Sequence, residues 1–535
     1  MDDQTPETSN GEKVFINEGA AKLTFSGGPT NAFYNPVQEF NRDLTVLVLR
    51  QFVADRLEAA ARNQTVEPEE TNGDGCPPAK KKKKWCEASE QLLKPVRILD
   101  ALSASGLRAI RFAKEVPNVD NVMANDFSEH AVSTIRRNIA DNGVEERVTA
   151  HFGDAVDVMM KHRALDMRFH AIDLDPYGGP SLFLDSAVQA VEDGGMLMVT
   201  CTDMAILCGN TPEACFTKYN SVPVRSESCH ESALRIILRA IDSNANRYGR
   251  YIEPLLCVSI DFYIRVFVKV HTSVRMAKDS VLKLSQMFHC TGCGTHTMQP
   301  LLRKTVVGNS IKYTPAQGPI VNNKCEFCDH SLHVAGPIYT APLHNLDFVH
   351  RLLKRVKDTP VPERFGTHSR LEGVLTVVSE ELLDVPLYYS HTHLMSVVKT
   401  PSAKFLMLRS ALLNAGYRMS ITHCNAKGVK TDAPMHVLWD IIRQLSAQAN
   451  VTAESPSFSE NAPGKRILSV PPKMTANFRT HPDADAKSKR DGLLRFQINK
   501  GKNWGPKSKA KGSVNSKFAG VQVREKAPVV ESNGE

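Results

Sequence analysis

The chain has 535 residues, 42% hydrophobic and 23% charged, with a net charge of +8. At roughly 150 residues per domain this predicts about three domains, and no apolar run reaches the ~18 residues of a membrane span, which excludes a transmembrane protein. Residues 451–535 hold 16 Lys+Arg against 8 Asp+Glu, so the first 450 residues balance at 50 against 50 and the tail carries all the excess, an asymmetry that points to a polyanionic partner, nucleic acid first.

The amino terminus, Met1-Asp2-Asp3-Gln4, has neither the basic nor the apolar region of a secretory signal and is acidic where a mitochondrial transit peptide is Arg-rich. A reducing compartment is therefore expected, in which the 12 cysteines more readily bind metal than form disulfides. Residues 1–12 read as a disordered terminus. Residues 13–62 read as the first part of the main domain, with helical apolar spacing from Asp43 to Glu58. Residues 63–90 read as a disordered insertion that is acidic at first and ends near the run Lys80 to Lys84. Such a run fits nuclear import, so a nuclear protein, with or without a cytoplasmic pool, is expected. The alternative is a solvated charge run.

From 91 to 285 the pattern alternates. Strands are predicted at 96–100, 122–126, 148–152, 169–175 and 195–200, and helices at 105–115, 128–140 and 231–244. Residues 255–270 alternate apolar and polar as strands do. This order predicts an α/β fold with an open, mostly parallel, doubly wound, Rossmann-like sheet. Residues 286–336 are predicted as a Cys- and His-rich segment, 337–450 as a further mixed α+β domain, and 451–535 as a basic, disordered tail too poor in aliphatics to build a core. Trp504 and Phe518 are interleaved with its lysines and are placed to stack on unpaired bases.

In such sheets ligands sit beyond the carboxyl ends of the strands. The polar residues there are Asp100, Asp126, Asp154 and Asp175. An acid ending the second strand is where a ribose diol is held, which fits Asp126. Asp154 opens a helix and suits an adenine amino group, or serves only as a helix cap. The first loop, Asp100 to Arg108, has the single glycine Gly106. It lacks the three-glycine dinucleotide fingerprint but admits a smaller nucleoside such as S-adenosylmethionine.

Asp175-Pro176-Tyr177-Gly178 is the sharpest motif. The lone pair of an exocyclic base amine is delocalised into the ring. A carboxylate and a fixed backbone carbonyl can accept its protons and localise that pair. Proline holds the backbone, and the aromatic can stack on a flipped base. The alternative is an ordinary Asp-Pro turn. Cys290-x2-Cys293 and Cys325-x2-Cys328 suit a structural tetrahedral zinc with no open position. His289, His296, His330 and His333 are candidate replacement ligands, and a redox dithiol is the rival reading.

Together these residues resemble the tRNA guanosine-26 N2,N2-dimethyltransferase family, which uses S-adenosylmethionine. The resemblance runs from about Val14 to Asn450, the insertion excepted. Its further markers are Glu18-Gly19, Phe33-Tyr34-Asn35-Pro36, Asn41-Arg42-Asp43, Asn125-Asp126, Gly153-Asp154-Ala155 and Gly428-x-Lys430-Thr431-Asp432-Ala433-Pro434. It implies a class I methyltransferase domain joined to a family-specific carboxyl-terminal domain that helps hold tRNA. It implies that Arg42, Arg108, Asp126, Asp154 and Ala155 line the cofactor site. It also implies that Asp175 is the acid/base beside Pro176, with Phe33 and Tyr177 as walls of the guanine site. Some members carry Phe where this chain has Tyr177. The expected partner is tRNA, with no membrane and no obligate protein partner. Two rivals remain open: methylation of another nucleic-acid amine, and a catalytically silent RNA-binding protein.

Overall fold

The computed structural model describes residues 14–25, 34–65, 92–308 and 310–496. Phe33, Lys80 to Lys84, Trp504 and Phe518 lie outside the described residues.

Two short strands, β1 (Val14–Glu18) and β2 (Ala21–Phe25), pair antiparallel ahead of a helix at Glu39–Thr65. The central sheet holds β3 (Val96–Asp100), β4 (Val119–Asp126), β5 (Val148–Phe152), β6 (Phe169–Leu174), β7 (Val191–Cys201), β8 (Arg250–Ile260) and β9 (Tyr263–Thr272). Their spatial order is β5-β4-β3-β6-β7-β9-β8. The first five run parallel, whereas β9 is antiparallel to both β7 and β8. The expected mixed α/β sheet is thus present. The 255–270 stretch is a hairpin turned at Asp261, whose φ of 53° is left-handed. Asp tolerates that conformation better than most residues.

Local signals place the helices. Ser128 caps Glu129–Asn142 by accepting from the Ala131 N–H. Asp154 caps Ala155–Lys161 by accepting from the Val156 N–H at 2.7 Å. The Glu39–Thr65 helix is buried on several sides because one face meets Leu107–Glu115 while others meet helices at Leu346–Asp358 and His368–Glu380. Phe40, Leu47 and Phe52 share one core with Phe348, Leu352 and Leu375. The main domain and the carboxyl-terminal domain are packed as one body there.

The Cys/His segment forms β10 (Leu284–Cys290), β11 (His296–Pro300) and β14 (Leu332–Tyr339) in the order β11-β10-β14. A separate hairpin, β12 (Leu302–Val307) with β13 (Ser310–Pro315), projects from it. The last small sheet is β15 (Tyr389–Ser390), β17 (Asn425–Thr431) and β16 (Met419–Thr422).

One expectation needs correction. The sequence reads as disordered tail from 451 onward, yet residues 451–496 form a strap on the carboxyl-terminal domain. Ile467 is fully buried. Asp440 and Gln444 accept from the Lys473 and Ala476 N–H groups, both at 2.9 Å. Glu380 takes the Ser488 N–H and hydroxyl at 2.7 Å each. The strap needs few aliphatics because the body's side chains satisfy its backbone, so a count of its own apolar residues underestimates its order.

Among the described residues no helix is long and apolar enough to cross a membrane.

Candidate active site

Strand order reverses between β3 and β6, and the crevice beyond their carboxyl ends is where such sheets bind ligands. Asp100, Asp126 and Asp154 stand on the β3–β4–β5 side. Asp175 follows β6 on the other.

Asp100 is buried and accepts the Ser103 hydroxyl at 2.6 Å. Burial, with the Asp173 charge beside it, pushes it up to about 7. It fixes the first loop. Asp126 does similar work: its Oδ1 accepts from the Ser128 N–H and its Oδ2 from the Ala104 N–H, both at 2.9 Å. Each oxygen keeps a lone pair for a hydroxyl, and burial raises its pKa. Ala104 (φ 51°) and Gly106 (φ 81°) are left-handed, which is how the loop turns tightly into its helix. Asn125 joins all three strand ends, donating to the Ala101 and Gly153 carbonyls at 3.0 and 3.1 Å. Ala155 is buried beside the Asp154 cap.

Arg42 and Arg108 are placed less simply. Arg42 donates to both oxygens of Glu18, at 2.6 and 2.5 Å, with its guanidinium over the Tyr34 ring. Glu18 also receives Arg111 at 2.7 Å, and Arg111 reaches Asp43 at 2.7 Å. Burial alone would raise Glu18; these arginines hold it low instead. Tyr34 donates to Glu18 at 3.1 Å, and burial with that neighbouring charge pushes its hydroxyl up to about 12. Arg108 turns to the substrate side, donating to Asp175 Oδ2 at 2.5 Å while standing 3.4 Å from Asp173.

Asp175 therefore sits in a prepared electrostatic setting. Its side chain is 24% exposed. Burial alone would raise its pKa, but Arg108 and then Arg265 hold it below the usual carboxylate range. Arg265 lies behind it, fully buried, paired with Asp173 at 2.7 Å and donating to Thr200 and Thr45 at 2.8 and 3.1 Å. Pro176 is buried and Tyr177 is exposed. The geometry brings together Asp175, Pro176, Tyr177 and Arg108 on one side, and Asp126, Asp154 and Ala155 on the other.

Sequence reasoning gave no role to Asp173, Arg265, Thr200 or Asn125 and did not join Glu18 to Arg42. One signal was available: Asp173 and Arg265 are charges inside otherwise apolar strands, and such residues are almost never buried unless paired.

The four cysteines also converge. Cys290 and Cys328 Sγ are 3.3 Å apart, Cys293 and Cys325 Sγ 3.7 Å, well beyond a disulfide's ~2.05 Å. All four Sγ atoms lie within 4.8 Å of one another, and none of the four candidate histidines belongs to the group. The Gly292 and Cys293 N–H groups both donate to Cys290 Sγ at 3.4 Å.

A doubly wound sheet with an acid ending its second strand and an Asp-Pro-aromatic loop after its fourth defines the class: a methyltransferase of the S-adenosylmethionine-binding type. The comparisons then give the family. The model of the N2,N2-dimethylguanosine tRNA methyltransferase family matches residues 11–443, and the chain belongs to that family. It is similar to a Caenorhabditis elegans protein named tRNA (guanine(26)-N(2))-dimethyltransferase, 55% identical over 522 residues and 96% of each chain. It is also similar to the solved structure of Trm1 from Pyrococcus horikoshii with S-adenosyl-L-methionine. The TM-score is 0.62 at 28% identity, covering 80% of this chain and 99% of that one.

The expected location does not stand. A Saccharomyces cerevisiae relative, 37% identical over 535 residues and 92% of each chain, is named as mitochondrial. One relative is thus named for a compartment other than the nucleus, which overturns the nuclear reading of the lysine run and of the acidic terminus.

Proposed function

We propose that this chain transfers two methyl groups in succession from S-adenosylmethionine to the N2 amine of guanosine 26 in tRNA. The observation that carries this reading is Asp175, held charged by Arg108 beside the buried Pro176, across the strand-order reversal from Asp126. S-Adenosylmethionine supplies an electrophilic methyl on a sulfonium. The donor set fits its nucleoside: Asp126 offers lone pairs to the ribose hydroxyls, and Asp154, at the mouth of the next strand, to the adenine amine.

Methyl transfer is an in-line displacement, so the protein's share is positioning and proton removal. Asp175 accepts an amine proton and orients the nitrogen lone pair. Its low pKa is no handicap, because methylated guanine is a strong acid until it loses that proton. Pro176 fixes the backbone carbonyl, and Tyr177, with Phe33 as the resemblance implies, stacks on the flipped base. Extrusion of that base costs a few kcal/mol, which stacking offsets in part. The test is transfer of labelled methyl to unmodified tRNA: label should enter wild-type tRNA and be lost when guanosine 26 is replaced by adenosine.

Asp126→Ala should weaken cofactor binding in calorimetry by about 10- to 150-fold, the worth of a hydrogen bond to a charged group. An unchanged affinity would remove Asp126 from the cofactor site.

The four cysteines would hold a structural zinc. Their spacing suits it, since Zn–S bonds of about 2.3 Å place tetrahedral sulfurs roughly 3.7 Å apart. Zinc there adds no catalysis and ties β10 to the Cys325–Cys328 turn. The carboxyl-terminal domain, 337–450 with its strap, is proposed to hold the tRNA body.

The remaining tail, 497–535, carries eight Lys+Arg and three Asp+Glu. Its proposed role is an electrostatic arm on tRNA. If it neutralises about four phosphates, deleting it after Phe496 should flatten log affinity against log salt by roughly three units, with saturating turnover little changed. Identical slopes would mean the arm does not touch RNA.

A further inference from the structure

Thr202-Asp203 follows Cys201, the last residue of β7, the neighbour of β6, so it emerges beside the Asp175–Gly178 loop. The two are bonded directly. The Thr202 N–H donates to the Gly178 carbonyl at 2.8 Å, and the Gly178 N–H donates to the Thr202 hydroxyl at 3.0 Å. Gly178 has a φ of 90°, which favours glycine, and a Cβ there would stand 3.2 Å from Asp203 Oδ1. A Cβ on Gly179 would overlap Tyr219 and come within 2.5 Å of Asp203 Oδ2. Two glycines in succession thus lay the loop directly against the Asp203 carboxylate.

That carboxylate is fixed from one side. Oδ2 accepts from Lys218 Nζ at 2.6 Å and from the Tyr219 hydroxyl at 3.4 Å. Oδ1, the oxygen nearest Gly178, accepts no side-chain hydrogen bond among the described residues. Two carboxylates therefore flank the Asp175–Gly178 loop: Asp175 at its start, and Asp203, two residues past the end of β7, against its glycines.

The Watson–Crick edge of guanine carries two adjacent donors, the N2 amine and N1–H. If Asp175 takes the amine, a second acceptor is needed for N1–H, because a donor buried without one forfeits its hydrogen bond. Adenine has an acceptor at N1, which a carboxylate repels. We propose that Asp203 Oδ1 accepts the guanine N1–H and makes the site selective for guanine. This inference rests on the guanosine reading above. Lys218 and Tyr219 are positioning residues that aim Oδ1 by occupying Oδ2.

The test uses full-length protein and tRNA carrying either guanosine or 2-aminopurine at position 26. 2-Aminopurine keeps the exocyclic 2-amine but has an acceptor in place of N1–H. Wild-type protein should prefer guanosine in kcat/KM by at least about a hundredfold, since a site that bonds a substrate donor strongly rejects an analogue lacking it. Asp203→Ala should cut that preference at least tenfold, mostly by losing activity on guanosine. Asp203→Asn, which can turn a donor toward the base, should shift the ratio further toward 2-aminopurine and serves if the alanine variant does not fold. A prop for the loop alone would slow both substrates equally, so an unchanged ratio in the folded variant overturns the proposal. Loss of guanosine 26 methylation by the wild type itself would overturn the function reading instead, and is recognised in the reference reaction.

Discussion

Asp175→Ala should lower methyl transfer at saturating substrate by about a thousandfold or more, while cofactor affinity changes less than about threefold. General acid–base groups contribute roughly 10²–10⁴ in rate, and Asp175 also aims the amine. The asymmetry between rate and cofactor binding follows from its place after β6, across the crevice from Asp126. Arg108 keeps a partner in the variant because Asp173 lies 3.4 Å away, so the site should hold its shape. Retention of more than a tenth of the rate, about 1.4 kcal/mol, would show that Asp175 does not do this work.

The same residue sets a pH dependence whose sign is fixed. A depressed carboxylate pKa leaves Asp175 able to accept a proton across the ordinary working range. Turnover should fall only when pH drops below that pKa, which lies under the ordinary 3.8. Arg108→Met removes the largest force lowering it, so the acid limb of kcat should move to higher pH. A limb that stays in place would show that Arg108 does not tune Asp175.

The second large effect concerns the cysteines. One zinc per chain is expected, and Cys293→Ser should lose it and unfold the β10–β11–β14 module. Structural zinc sites return apparent binding energies of about 10–16 kcal/mol as folding energy. The module's buried contacts with the main core, Met287, Ala335, Ile338 and Tyr339, leave its Cys290 end to be held by the metal. The cysteines themselves pack in the same cluster as Trp439 of the carboxyl-terminal domain, so local unfolding should also weaken tRNA binding. Elemental analysis of the purified protein showing no stoichiometric zinc would refute this.

What could be read from the sequence was local. β3 and β5 fall at the predicted residues because short apolar runs between turn signals fix them. Ser128 and Asp154 announce the helices they cap. Asp175 stands out because Pro176 and an aromatic follow it. What could not be read depends on contacts between distant residues. Arg265 and Asp173 are 92 positions apart, and Arg111 and Glu18 are 93; no spacing rule joins them. Arg42 and Arg108 illustrate the limit from the other side. Their motifs marked them as part of the site, but only the folded chain shows Arg42 locked to Glu18 and Arg108 turned onto Asp175. The strap at 451–496 was invisible for a related reason: its order comes from Asp440, Gln444 and Glu380, which belong to other segments.

The most direct measurement is mass spectrometry of an unmodified tRNA after incubation with the purified protein and S-adenosylmethionine, with fragment mapping of the modified position. N2-Methylguanosine should form first and N2,N2-dimethylguanosine as the final product, both at position 26 and both absent with Asp175→Ala. Methylation of a different base or position, or no methylated nucleoside at all, would contradict it.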